Sequence, residues 1–152
     1  MNKINQTVKQ LILKHGTAEP SELCEKMGIT FLEQDLPESV NGFTVTMYNI
    51  PFIVVNSMLN SYERRITTAH EIGHIVLHKG TNTIELSVNT SFCVSKFERE
   101  ADCFAAYLLM YAELSEFEGY ECVTAEDISK ATHMPRSMLD NILDDRPSKS
   151  VY

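Results

Sequence analysis

Two histidines and a glutamate within five residues have the types and the spacing of a metal site. Residues 70–74 are His-Glu-Ile-Gly-His. On an α-helix, positions i and i+4 share one face, so His70 and His74 would present two imidazoles to one zinc ion (Zn2+). Glu71 follows the first histidine, where its carboxylate can take a proton from a water molecule activated by the metal. The motif therefore predicts a hydrolytic site with two histidine ligands and Glu71 as general base.

The alternative interpretation is a buried helix that carries two structural histidines. Apolar neighbours such as Ile66 and Val76 predict a largely buried helix. A buried Glu71 beside two imidazoles would be costly without a metal ion. Gly73 costs about 1 kcal/mol relative to alanine inside a helix, and a close approach by another backbone or a substrate would explain its presence. We therefore favour the metal site.

Two histidines do not complete a zinc site, so a third ligand must lie elsewhere in the chain. The extended metzincin motif would place glycine at position 77 and histidine at position 80, but Leu77 and Gly80 stand there. His78 lies one turn beyond His74, yet three successive turns of one straight helix cannot surround an ion tetrahedrally. We expect His78 to lie behind the metal ligands or to be structural.

A charged cluster some twenty residues downstream offers the missing ligand. Apolar residues recur at helical spacing over 97–108 and predict a helix with a core-facing stripe. Glu98 and Asp102 lie one turn apart at its border, so Glu98 could bind the metal while Asp102 accepts a hydrogen bond from a ligating histidine. Glu100 points about 200° away from Glu98, so only one of the two can face the metal. We favour Glu98, although these residues alone leave Glu100 and a solvated charged face open.

Together, the two motifs resemble those of the ImmA/IrrE family of small metallopeptidases. The matching residues are His70-Glu71-Ile72-Gly73-His74-Ile75-Val76-Leu77-His78 and Glu98-x-x-Ala101-Asp102-x-Phe104-Ala105-x-x-Leu108-Leu109-Met110. The resemblance covers residues 5–110 and, more loosely, the C-terminal tail. It departs at Tyr111, where family members often have proline, which affects the predicted end of the helix and not the site.

The resemblance implies a zincin core with His70, His74 and Glu98 as zinc ligands and Glu71 as catalytic base. Members in phages and mobile elements cleave helix-turn-helix repressors, usually encoded beside them. We therefore expect a zinc-dependent endopeptidase that acts as an anti-repressor by cleaving such a repressor. The alternative is a zincin-fold regulator that binds and sequesters a repressor or stress-response partner without proteolysis. Glu71 favours the enzyme, since a binding module has no use for that carboxylate.

Composition favours a protein partner over nucleic acid or a membrane. The chain has 152 residues and a net charge of −8, whereas direct binding of nucleic acid requires a basic face. An acidic protein would instead attract a basic partner, and DNA-binding repressors are often basic. No apolar run approaches the roughly 18 residues of a membrane span, and the polar start of the chain lacks the apolar stretch that is typical of a signal peptide. Four scattered cysteines without a CxxC pair predict buried thiols in a reduced, cytoplasmic protein.

We predict an α+β fold: a zincin-like core in which a small sheet or hairpin packs on the active-site helix. The expected single domain, 1–152, comprises a helical N-terminal element (1–41), the core (42–110) and a helical tail (111–152). In the N-terminal element, one helix should end near His15 and a second should be capped by Ser21. The tail, with Thr124 capping its first helix, resembles a helix-turn-helix and suits substrate docking better than DNA binding, because it has few arginines.

The segment after Gly42 has strand periodicity. Residues 43–48 alternate and residues 51–56 form an apolar run, which together predict a β-hairpin turning at Asn49–Ile50. In zincins such a strand lies beside the cleft, so we expect residues 43–55 to form an edge that pairs with an extended substrate. The active-site helix should start at 56–57 or at Ser61. The oxyanion formed in peptide hydrolysis needs a further donor, and three tyrosines are candidates: Tyr48, Tyr107 and Tyr111.

Overall fold

Two amphipathic helices begin the chain in the computed structural model, which describes residues 3–79, 91–113 and 124–143, without the side chains of 91–95 and 141–143. Helix α1 spans Lys3–His15 and helix α2 spans Pro20–Met27, so the predicted end of the first helix is confirmed. The predicted cap at Ser21 is wrong: Glu19 is the N-cap and Pro20 follows it. Proline suits the first helical turn because it has no N–H to leave unpaired there.

Three strands form one mixed sheet with the order β1-β3-β2. Strand β1 spans Thr30–Gln34, β2 spans Gly42–Met47 and β3 spans Ile50–Asn56. The hairpin between β2 and β3 turns at Tyr48 and Asn49, both with positive φ (51° and 62°), one residue earlier than predicted. Two central residues of positive φ match the right-handed twist of the flanking strands.

Strand β3 is the centre of the sheet and not an edge. Val54 pairs with Leu32 of β1 on one side and with Phe43 of β2 on the other. The expectation that all of 43–55 forms a free edge is therefore wrong: among the described strands, only β2 of that hairpin has an unpaired edge. Strand β1 was not expected within 1–41, because its five residues are mostly exposed and do not alternate between buried and exposed.

Two long helices carry the two motifs of the sequence. Helix α3 spans Ser61–Leu77 and begins at a capping box, in which Asn60 and Glu63 exchange side-chain and backbone hydrogen bonds. The later of the two predicted starts is thus confirmed. Helix α4 spans Ser91–Ala112, so it continues through Tyr111 without the proline that would interrupt it. The sheet packs on α3, which in turn packs along α4.

Two short helices form the described part of the tail. Helix α5 spans Ala125–Thr132 and α6 spans Arg136–Leu143. The predicted Thr124 cap is confirmed, since its hydroxyl accepts from the Asp127 backbone N–H and the Asp127 side chain accepts in return. Helix α6 packs on α4, as does α1, so the α+β fold with helical elements before and after the core is confirmed. Over the described ranges, no helix combines the length and apolarity needed to cross a membrane.

Candidate metal centre

The two motif histidines point one ring nitrogen each at the same place. On α3 their side chains are one turn apart, and the Nε2 atoms of His70 and His74 lie 3.1 Å from each other. His74 is almost fully buried, and the side chain of His70 is 15% exposed. Helix periodicity accounts for this convergence, because i and i+4 side chains lie over one another.

Glu98 of α4 completes a three-residue group. Its Oε2 atom lies 3.1 Å from Nε2 of His70, and its Oε1 atom lies 3.0 Å from Nε2 of His74. Ligand atoms of all three residues lie within 4.8 Å of one another, close enough to hold one metal ion. The structure thus brings the predicted His70, His74 and Glu98 together. Two imidazole nitrogens and one carboxylate oxygen are a donor set that zinc uses in catalytic sites.

Each histidine is held from behind through its other ring nitrogen. Nδ1 of His70 donates to Oδ1 of Asp102 at 2.8 Å, the partner expected from the sequence. Nδ1 of His74 lies 3.0 Å from Nδ1 of His78, whose Nε2 donates to Glu100 Oε2 at 2.8 Å. His78 therefore lies behind the three-residue group.

Glu100 does not face the three-residue group. Its carboxylate contacts His78 and, at 3.8 Å, the ammonium of Lys96. Around α4 it points away from Glu98, as helix geometry requires for residues two apart. The geometry therefore favours Glu98 as a ligand.

Glu71 is a buried carboxylate with an unused oxygen. The residue is 5% exposed, and within the described part of the chain its Oε2 atom has no hydrogen-bond partner. Burial raises the pKa of Glu71, although the neighbouring His70 and His74 oppose the shift. A carboxylate with a raised pKa that lines a cleft suits proton transfer at neutral pH. An unpaired buried oxygen beside this donor set fits a site that binds a metal ion and a polar substrate.

Opposite charges stabilise the group formed by His70, His74 and Glu98. Burial disfavours the charged form of His70, but hydrogen bonds to Asp102 and Glu98 outweigh it and raise the pKa of His70 to about 10. Burial likewise disfavours ionised Glu98, yet hydrogen bonds from His70 and His74 hold its pKa well below the usual range. A metal ion would take the place of the proton on the imidazole, because histidine binds metals in its neutral form.

Comparison with known proteins gives a family match and two similar relatives. The model of the peptidase M78 family, described as the IrrE N-terminal-like domain, matches residues 24–144. The chain belongs to the ImmA/IrrE family of metallopeptidases. It is 34% identical over 136 residues to "Uncharacterized immunity region protein 2" of Bacillus phage phi105, covering 89% of this chain and 85% of that protein. It is 29% identical over 107 residues to "Metallopeptidase ImmA" of Bacillus subtilis (strain 168), covering 70% of this chain and 63% of that protein.

Membership of the ImmA/IrrE family confirms the resemblance predicted from the two motifs and implies a metal ion. The matched region includes α3, α4 and both helices of the described tail. The chain's own residues fit such an ion, since three ligand atoms converge beside an unpaired carboxylate oxygen.

A cleft of about 590 Å3 opens over the group in this ImmA/IrrE member. Its lining combines the loop before β2, the start of β2, α3, α4 and one residue of α6. The residues are Ser39, Val40, Asn41, Gly42, Phe43, Ile66, Thr67, His70, Glu71, His74, Glu98, Asp102 and Met138. Phe43 belongs to the hairpin that was expected beside the cleft, whereas Met138 and residues 39–42 were not predicted to line it, because only tertiary packing brings them to the motif. The free edge of β2 begins inside this lining.

None of the three tyrosines considered as oxyanion donors lines the cleft. Tyr48 is 98% exposed at the hairpin turn, and Tyr107 is buried in the core. The hydroxyl of Tyr111 donates to Asn5 Oδ1 at 2.6 Å and so ties α4 to α1.

Two buried cysteines, Cys24 and Cys103, form no disulfide, as predicted for them, while the side chains of Cys93 and Cys122 lie outside the described residues.

Proposed function

We propose that this metallopeptidase-family protein is a zinc-dependent endopeptidase that cleaves a helix-turn-helix repressor of a phage or mobile element. The observation that carries the proposal is Glu71, a buried carboxylate whose Oε2 atom has no hydrogen-bond partner in the described chain. It lines the same cleft as the converging nitrogens of His70 and His74. A protein that only binds its partner has no need of such a base.

The metal would be held by Nε2 of His70, Nε2 of His74 and the carboxylate of Glu98. Zinc is preferred over manganese or iron because the ligands are two imidazoles and one carboxylate, a frequent catalytic zinc set. When bound, zinc supplies a Lewis acid that polarises the scissile carbonyl and makes water a better nucleophile.

The protein's own side chains supply the proton transfers and the orientation. Glu71 takes a proton from the attacking water and delivers it to the amine of the leaving peptide. Its raised pKa suits both steps, because burial makes the carboxylate readier to hold a proton. Asp102 fixes the ring of His70 through Nδ1.

An extended peptide could bind along the free edge of β2. Backbone groups on an open edge pair with a substrate strand largely irrespective of its sequence. Phe43 at the start of β2 and Met138 of α6 line the cleft from different elements. Thus α6 of the tail would contact the substrate, consistent with a docking role for the tail. The net charge of −8 favours a basic partner such as a DNA-binding protein.

The names of two relatives support a metallopeptidase that acts on a protein in phage immunity. One is named as an immunity region protein of a phage and the other as the metallopeptidase ImmA. We propose that this protein and its repressor substrate meet in the cytoplasm. We also propose that 1–152 forms a single domain, since α1 and α6 both pack on α4 of the core.

The decisive experiment incubates the purified, zinc-loaded protein with the helix-turn-helix protein encoded beside its gene. Intact mass of the products reports any cut, and the Glu71→Gln protein is the matched control. One defined cut that requires Glu71 is the expected result. Equal binding by both proteins without a cut would favour the alternative, in which the protein sequesters its partner.

A further inference from the structure

The two histidines of the metal centre are held in different ways. Asp102 accepts directly from Nδ1 of His70 at 2.8 Å. His74 instead contacts a second imidazole: its Nδ1 atom lies 3.0 Å from Nδ1 of His78. The carboxylate of Glu100 lies on the far side of that second ring, 2.8 Å from its Nε2 atom. Three side chains, from α3, its C-cap residue and α4, therefore form one chain of hydrogen bonds that ends at the metal centre.

When a metal ion takes the lone pair of His74 Nε2, the chemistry of these groups permits one arrangement of protons. An ionised carboxylate only accepts, so Glu100 requires a proton on Nε2 of His78. A neutral His78 then has a lone pair on Nδ1 and accepts a hydrogen bond from Nδ1–H of His74. The remaining nitrogen of His74, Nε2, is left with its lone pair. That nitrogen is the one beside Glu98 and His70.

We propose that Glu100 and His78 are positioning residues that determine which nitrogen His74 presents to the metal. The inference rests on the metal site of the proposed function and assigns Glu100 a role other than ligand. Burial supports it, because the side chain of His78 is 2% exposed and its ring lies 4.3 Å from the ring of Phe97. A ring held this firmly cannot rotate to exchange its two nitrogens without disturbing the core.

The first test changes the acceptor that faces His74. His78→Leu removes it, whereas His78→Asn keeps an oxygen where Nδ1 of the imidazole stood. Zinc affinity of the folded protein is measured by competition with a chelator of known affinity. His78→Leu should bind zinc about 10–100-fold more weakly, the usual effect of losing a group that orients a ligand. His78→Asn should retain most of the affinity.

The second test asks whether Glu100 acts through His78. In the wild-type background, Glu100→Leu should weaken zinc binding. In the His78→Asn background the link is already cut, so the same substitution should change nothing further. Lys96→Ala is the matched control, because it removes the exposed ion pair of Glu100 at 3.8 Å and leaves the bond to His78 intact. It should leave zinc affinity unchanged.

A purely structural role would give a different pattern. It would lower the melting temperature of the metal-free protein while the folded fraction bound zinc as tightly as before. Equal zinc affinities of His78→Leu and His78→Asn would overturn the proposal. An equal loss of zinc affinity from Glu100→Leu in the wild-type and His78→Asn backgrounds would also overturn it. That comparison tests the proposal even if His78→Leu fails to fold. A wild-type protein that takes up no zinc would overturn the proposed function as well, whereas zinc binding without these differences would overturn the positioning role alone.

Discussion

A Cβ atom placed on Gly73 would lie 3.2 Å from the Cα atom of Ala101, so α3 and α4 approach each other closely beside the metal centre. The same Cβ atom would lie 3.1 Å from two side-chain atoms of the fully buried Phe104. Gly73 belongs to the histidine motif, and Ala101 precedes Asp102 in α4. Because the helices come this close, the carboxylates of Glu98 and Asp102 reach His70.

Gly73→Ala should destabilise the protein even though alanine favours helix. The gain in helix propensity is about 1 kcal/mol, while overpacking a tight core costs about 1–3 kcal/mol. We expect a net loss of about 1 kcal/mol in the free energy of unfolding of the metal-free protein, from urea titrations. Zinc affinity should also fall, because the added methyl group would push α4, and with it Glu98, away from the histidines. A Gly73→Ala protein of higher stability would mean that α4 accommodates the methyl group.

The close approach shows why one part of the site could be predicted from sequence and another could not. His70, Glu71 and His74 lie on one helix, so periodicity alone predicted that the two imidazoles converge. Gly73 indicated a close neighbour but not its identity. Helix spacing predicted that only one of Glu98 and Glu100 can face the metal. Which of the two does so depends on how α4 is rotated against α3, and tertiary packing determines that rotation.

Elements that depend on distant partners escaped prediction. Strand β1 pairs in parallel with β3, and its mostly exposed residues gave no alternation to recognise. Met138 lies more than sixty positions beyond the histidine motif and lines the cleft because α6 packs on α4. The capped helix α3, by contrast, began at one of the two predicted places, since capping residues act locally.

Glu71→Gln should retain the metal and lose the reaction. The amide has nearly the shape of the carboxylate but cannot accept the proton of water, so cleavage should fall by at least about 100-fold. Bound zinc, counted by atomic mass spectrometry, should equal that of the wild type. Stripping zinc with a chelator should stop wild-type cleavage, and added zinc should restore it. Turnover by the metal-loaded Glu71→Gln protein would exclude Glu71 as the base.

Asp102→Ala should weaken zinc binding by about 10–100-fold, because Nδ1 of His70 loses the acceptor that orients the ring. Asp102→Asn should lose less zinc affinity, since its amide oxygen still accepts a hydrogen bond from the imidazole. Affinity is measured by chelator competition, with Asp140→Ala as the control for removing an exposed acid elsewhere. Unchanged affinity in Asp102→Ala would show that His70 needs no support from α4.

Cys24 should react slowly with alkylating reagents in the folded protein. Burial raises the pKa of its thiol to about 11. Only the thiolate reacts, and at pH 8 about 0.1% of such a thiol is ionised, against about a quarter of an ordinary one. Raising the pH toward 11 should speed alkylation about tenfold per unit for as long as the fold persists. Peptide mass spectrometry measures the rate, and rapid labelling of the native protein at pH 8 would contradict the burial of Cys24.

Met138→Asp should impair cleavage without affecting the metal. Its side chain lines the cleft from α6, so a carboxylate there would repel the acidic groups of the site and disfavour an apolar substrate side chain. We expect kcat/KM to fall by about tenfold or more while zinc affinity stays the same. Ser137→Asp places the same charge on the exposed neighbouring residue and should have little effect. Met138→Leu conserves the apolar volume and should cleave normally. If Met138→Asp cleaves the repressor as well as the wild type, α6 forms no part of the substrate-binding wall.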